Sequence, residues 1–324
     1  MKTQKGETAR MKRLLILFPL LALLLGACAS PVPAEEVTIR LAVIPVIDTL
    51  PMFVAEAEGL YAKHGVKVEL VPVASAPERD QLLQAGQADG TLNELLSVMF
   101  FNRETVQMQA VRYGHMASEG AGHFFLLASG QSGITDVEQL KGVEIGISQG
   151  TIIEYLTDRL LESEGFTSAD IKYVAVPKIP DRMALLGSGE LKAAVMPDPL
   201  GGLAVQQGAV ILLDDSSYPL LGASVISFRK EFLDKHPAAV KAFLAAIEEA
   251  VTLINSDPAR FSALLAEKKL VPPPLAGSYV IPKFPLKGVS SQDEWDDVLA
   301  WAKGKGLLQT DISYKDSVNP SFLP

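Results

Sequence analysis

The chain has 324 residues, 48% of them apolar, with 38 acidic side chains against 29 basic ones and a net charge of −9. That balance argues against a nucleic-acid partner, because such partners are held mainly by Lys and Arg on phosphate. The single cysteine rules out an intrachain disulfide, and the length, at ~100 to 200 residues per domain, suggests two lobes.

Lys12 and Arg13 precede an apolar run from Leu14 to Leu25, too short at about 1.5 Å per helical residue to cross a ~30 Å hydrocarbon core. Residues 1–27 therefore read as an export signal, with Met11 as a second candidate start. The run ends in Leu25-Gly26-Ala27-Cys28, which resembles the bacterial lipobox, so Cys28 is expected to become the lipidated first residue. Five basic groups and one acidic group leave with the signal, so the mature chain keeps 24 basic and 37 acidic groups, or −13. Residues 28–36 read as a linker between lipid and globule.

Val37 to Ile44 reads as a buried strand, Pro51 to Lys63 has helical spacing, Val66 to Val73 is strand-like, Pro77 to Ala85 helical, and Ala88 to Leu92 again a strand. Parallel strands joined by helical crossovers imply a sheet covered on both faces. The same order returns with strand Val143 to Ser148, helix Thr151 to Glu164, strand Ile171 to Val176, helix Asp181 to Leu186 and strand Lys192 to Met196. At an offset of 103, Arg79 falls on Arg182, Leu82 and Leu83 on Leu185 and Leu186, Gly86 on Gly189, and Val68, Val71 and Val73 on Ile171, Val174 and Val176. Two lobes of like topology follow, with the equivalence read as structural. Ala223 to Phe228 is a further strand candidate, and Pro237 to Asn255 a helix with His236 at its N-cap and Pro237 at its first position. Asp257-Pro258 opens another helix to about Lys268, and Ser291-Gln292-Asp293-Glu294 is a capping box opening a helix to about Lys303.

In open α/β sheets a ligand sits beyond the carboxyl ends of the strands. That rule selects 45–52, 74–77 and 91–94 in the first lobe and 148–152, 177–181 and 197–199 in the second, and within them Asp48 and Thr49, then Thr91, Asn93 and Glu94, then Ser148, Gln149, Gly150 and Thr151, and finally Asp198 between two prolines. Ser148 to Thr151 is the sharpest of these, since a glycine turn between strand and helix exposes backbone N–H groups at a positive dipole end. Helix capping explains Ser148, Thr151, Asp48, Thr49, Asn93 and Glu94 as readily as ligand binding does. The four histidines show no metal-ligand spacing, and no nucleophile elbow or phosphate loop is present. His115 and His123 bracket a small-residue segment that reads as a crossing between lobes.

Gly59-Leu60-Tyr61-Ala62-Lys63-His64-Gly65-Val66-Lys67-Val68-Glu69-Leu70, Gln84-Ala85-Gly86-Gln87-Ala88-Asp89, Val143 to Thr151, and Met196-Pro197-Asp198-Pro199-Leu200 together resemble the solute-binding lipoproteins of ABC importers for nitrate, sulfonate, taurine and thiamine-precursor pyrimidines. The resemblance implies an α/β, two-lobed type 2 periplasmic binding protein fold, each lobe a doubly wound sheet with helices on both faces. Lobe one would comprise 37–122 and 228–324, and lobe two 123–227. The implied role is capture of a small organic solute, sulfonate- or taurine-like or pyrimidine-like, by closure of the lobes, and its delivery to a permease with its cytoplasmic ATPase. No catalytic residue, cofactor or metal is expected, and the protein would be a monomer outside the cytoplasm, held to the membrane by lipid on Cys28. The alternative, an enzyme on the same fold such as a pyrimidine synthase, would need a reactive His or Cys cluster. Ile152 and Ile153 replace the small polar residues usual in sulfonate binders, and Pro197 stands near a place often taken by an aromatic. Those departures favour a less charged, partly apolar solute.

Overall fold

Residues 37–324 are described by the structure, a computed structural model. The export signal, Cys28 and the linker lie outside the described residues. From β1 (Thr38–Val43) the chain passes through α1 (Leu50–Ala57) to β2 (Lys67–Pro72), then α2 (Ala76–Gln84), β3 (Gly90–Asn93), α3 (Leu95–Asn102) and β4 (Met108–Tyr113). The helix expected over 51–63 is broken, because Gly59 adopts φ +67° and a separate turn, Leu60–Lys63, follows it.

Residues 114–123 cross to the second lobe, which holds β5 (Phe124–Ala128), β6 (Glu144–Ile147), α4 (Ile152–Ser163), β7 (Lys172–Ala175), α5 (Ile179–Ser188), β8 (Ala193–Pro197), α6 (Leu200–Gln206) and β9 (Val210–Asp214). Residues 215–224 cross back to β10 (Val225–Arg229), and α7 (Pro237–Ser256) and α8 (Gln292–Gly304) complete the larger helices.

The two sheets run β2-β1-β3-β10-β4 and β7-β6-β8-β5-β9. In each, three strands are parallel and the fourth position holds an antiparallel strand, β10 or β5, that enters directly from a crossing segment. The 103-residue repeat thus has a physical basis: β2 and β7 are equivalent edge strands, and α2 and α5 carry Arg79 and Arg182 to equivalent buried positions. The lobe boundary expected at 227/228 falls inside β10. That strand belongs wholly to the first sheet, where it fills the gap between β3 and β4. At Gly90 of β3 a Cβ would lie 2.5 Å from the Phe228 ring of β10, so the two strands approach as only glycine permits.

The apolar faces of α1 and α7 pack on one side of the first sheet, where Phe243, Leu244, Ile247 and Val251 are fully buried. The helix expected after Asp257 is a 3-10 turn, Pro258–Phe261, followed by a short α-helix, Ser262–Glu267. Both halves of the Ser291/Glu294 capping box are formed at the start of α8. Trp295 of α8 is fully buried and donates its indole N–H to Ile312 O at 2.9 Å.

The lobes touch on both flanks of the crossings. On one flank α8 packs on α3 and α4: Trp301 Nε1 donates to Asp158 Oδ2 at 2.7 Å, the Tyr155 hydroxyl to Asp297 Oδ2 at 2.6 Å, and Arg159 pairs with Asp297. On the other, Leu203 of α6 joins the apolar cluster of the first lobe. No helix among the described residues is long and apolar enough to cross a membrane.

Candidate functional site

The strand ends of the two sheets face each other across a cavity of about 90 Å³, enough for a small solute. Its wall is largely apolar, with Ile44, Val46 and Leu92 from the first lobe and Phe124, Ile152, Ile153, Pro177 and Ile179 from the second. Such a wall, with a few placed polar groups, is the usual make-up of a small-molecule site.

Of the residues selected from the sequence, Asp48, Asn93, Glu94, Ser148 and Thr151 line the cavity. The local sequence leaves Asp48 ambiguous between cap and ligand, but neither adjoining helix takes a side-chain cap from Asp48 or Thr49. Instead Asp48 is buried, with Oδ1 2.9 Å from His123 Nε2 and Oδ2 accepting from the Ser224 hydroxyl at 2.7 Å. Burial alone would raise its pKa, but the charge and hydrogen bond of His123 hold it well below the usual carboxylate range. The reciprocal effect appears on His123, where burial would favour the neutral ring and Asp48 overrides it, raising the pKa to about 9. His115, ring edge to ring at 4.8 Å from His123, goes the other way: burial and the neighbouring imidazolium push it down to about 3.

Glu94 is also buried, and its carboxylate accepts from Arg79 Nη1 at 3.0 Å and Nη2 at 3.3 Å. Its pKa is raised because burial outweighs the pull of Arg79. Arg79 in turn donates from Nε to Asp80 at 2.8 Å. Asn93 donates to Ser97 and accepts from the Ser227 hydroxyl at 2.6 Å. Thr151 is the N-cap of α4, accepting from Ile153 N at 3.2 Å, while the Ser148 hydroxyl donates to Pro177 O at 3.1 Å.

The remaining candidates stand away from the cavity wall, and their placement corrects the expectation. Thr49 donates its hydroxyl to Val46 O, and Thr91, inside the sheet, donates to Ala42 O at 2.6 Å. Both are fully buried and committed to backbone. Gln149 is exposed, and Gly150, at φ +68°, donates its N–H to the Glu154 carboxylate at 2.8 Å. Asp198 accepts the Tyr279 hydroxyl, tying the second lobe to the C-terminal part of the first, and its N–H donates to His123 O. Burial raises its pKa to about 6 against the opposing pull of Tyr279 and His123.

Ser75, in the selected segment 74–77, also lines the cavity, whereas Arg79, His123 and Ser224 line it without having been selected by the strand-end rule. The signals were present: Arg79 repeats at Arg182, and His123 ends the small-residue crossing. Among the described residues, no group of three or more His, Cys, Asp and Glu is placed to hold a metal ion.

The model of the NMT1-like family matches residues 32–267. A protein of Bacillus subtilis (strain 168), named provisionally as an aliphatic sulfonates-binding protein, is 24% identical over 247 residues, covering 74% of this chain and 73% of its own. The alkanesulfonate-binding protein SsuA from Xanthomonas axonopodis pv. citri, solved bound to MOPS, superposes with a TM-score of 0.74 at 17% identity, over 88% of this chain and 99% of its own. A ligand-binding component of an ABC-type import system from Staphylococcus aureus, solved with zinc bound, gives a TM-score of 0.73 at 17% identity, over 88% and 97% of the two chains. The structural likenesses establish the two-lobed type 2 periplasmic binding protein architecture. With the family model spanning most of the sequence, the chain belongs to the NMT1-like family, the nitrate, sulfonate and taurine group of type 2 periplasmic solute-binding proteins.

Proposed function

We propose that this protein is the extracytoplasmic solute-capturing component of an ABC importer, anchored through lipid on Cys28, and that it presents a small organic solute to a permease driven by a cytoplasmic ATPase. The observation that carries this reading is the cavity between facing strand ends, in a molecule whose lobes share two crossing segments and meet on both flanks. Hinge bending at the crossings would admit and release the solute.

The site residues we propose are Asp48, Asn93, Glu94, Ser148 and Thr151, with Arg79 and His123 added from the geometry. The named relatives direct attention to sulfonates. The apolar wall and the internal pairing of its charged groups support a solute with little net charge, so pyrimidine-like compounds join the sulfonate-like ones in the first panel.

The test is mass spectrometry of small molecules released on denaturing the purified full chain, followed by small-angle scattering with each compound found. A co-purifying solute that compacts the protein is the expected result. Absence of any such molecule, with no compaction across a broad panel, would overturn the reading.

A further inference from the structure

His123 stands where the first crossing segment meets β5, in the cavity wall, and only 3% of it is exposed. Its Nε2 is engaged by Asp48 and its backbone N–H donates to Asp215 Oδ1 at 2.7 Å. Its Nδ1 is buried and has no hydrogen-bond partner. The other polar side chains of the wall are largely spent on one another: Glu94 on Arg79, Asn93 on Ser97 and Ser227, Ser224 on Asp48, and Thr151 on Ser148 O and Ile153 N. A buried polar atom left unpaired in an otherwise satisfied wall is where a ligand group gains most.

We propose that His123 Nδ1–H is the specificity-determining donor of this cavity, and that it receives an uncharged oxygen, such as an amide or ketone carbonyl, of an apolar-bodied solute in preference to an oxyanion. The proposal rests on the receptor reading above and names the solute class of the same site. With His123 protonated, both ring nitrogens carry hydrogen: Nε2–H donates to the Asp48 carboxylate, and Nδ1–H is left to offer. The imidazolium charge is matched by Asp48, and the Arg79 charge by Glu94 and Asp80. Asp198 and Asp215 add negative potential around His123. An oxyanion would therefore lose its hydration without meeting a free cation in the wall. Arg182 also lacks a carboxylate partner, but it lies behind Ser148, to which Nη1 donates at 3.1 Å, and does not line the cavity.

The full chain in detergent micelles, studied by thermal shift and calorimetry, distinguishes the two classes with matched probes: butanamide and pentanamide against propanesulfonate and butanesulfonate. The amides are expected to bind and raise the melting temperature more than the sulfonates, and His123→Phe to weaken amide binding about tenfold, as loss of a hydrogen bond to a charged group does. His123→Gln, which keeps a donor, is expected to retain part of the affinity. Should His123→Phe fail to fold, nitrogen-15 NMR of histidine-labelled wild type supplies the same answer, since the Nδ1 resonance must move with the amides. Sulfonates that bind as tightly as the amides, an Nδ1 resonance that amides leave unmoved, or no binding by either series would each overturn the inference. None of these touches the receptor reading, which falls only if no solute co-purifies or compacts the protein.

Discussion

The buried pair of Asp48 and His123 makes stability depend on pH between about 6.5 and 9. In the folded protein His123 keeps its proton up to about pH 9, against an ordinary value of 6.5. Between those limits the folded state binds one more proton than the unfolded chain, so stability must fall as pH rises, by about 1.4 kcal/mol per unit. The contribution is fully present below pH 6.5 and gone above about pH 9, and over the whole span it amounts to about 3 kcal/mol. Asp48→Asn removes the charge that holds the proton, and burial then favours the neutral ring, as it does at His115. The variant is expected to lose about 3 kcal/mol at pH 6 and to show no slope between pH 6.5 and 9. His115 and Asp198, at about 3 and about 6, titrate below this window. Urea denaturation midpoints of both proteins, taken at half-unit steps from pH 6 to 9.5, provide the measurement. A flat wild-type profile, or a variant profile parallel to the wild type, would refute the reasoning.

Arg79→Leu leaves Glu94 buried without its partner and is expected to cost about 3–5 kcal/mol in urea unfolding, much of it regained in the double variant with Glu94→Leu. Tyr279→Phe removes the hydroxyl that joins the lobes at Asp198 and is expected to shift the solute-free protein toward the open form by about 1.5–3 kcal/mol, read as a larger radius of gyration in small-angle scattering. Gly90→Ala drives a methyl into the Phe228 ring and is expected to destabilise by about 1–3 kcal/mol. Gly187→Ala, on α5 with open space at its Cβ, should be neutral or stabilising by up to about 1 kcal/mol, both glycine variants being compared with wild type in thermal melts.

The alternating and helical periods of β1, β2, α2, α4 and α7 were legible because each packs one face of a sheet or helix on a core. Three strands, Met108–Tyr113, Phe124–Ala128 and Val210–Asp214, go unannounced. They sit at the ends of the crossings or at a sheet edge, and the repeated β-α-β rhythm stops there. The strand-end rule picks out loops that border the cavity but does not tell which of their side chains line it. Thr91 is on a selected strand, yet its hydroxyl turns to Ala42 O, and the partners of Asp48 are His123 and Ser224, 75 and 176 residues further along the chain. Local pattern carries no information about such partners. Asp198, between two prolines, stands in neither a helix nor a strand, and Tyr279, from a segment with no periodic signal, takes up its carboxylate.

The strand order of the first sheet also bears on biosynthesis. Every strand of the second sheet lies in one uninterrupted stretch, residues 124–214, whereas the first sheet keeps a slot between β3 and β4 that only residues 225–229 can occupy. A chain emerging N-terminus first from an export channel can therefore finish its middle portion while its opening portion still waits for the closing strand. Until then β3 and β4 present bare edges to their surroundings, so the interval between emergence of residue 113 and residue 229 is when this protein most needs a holding chaperone.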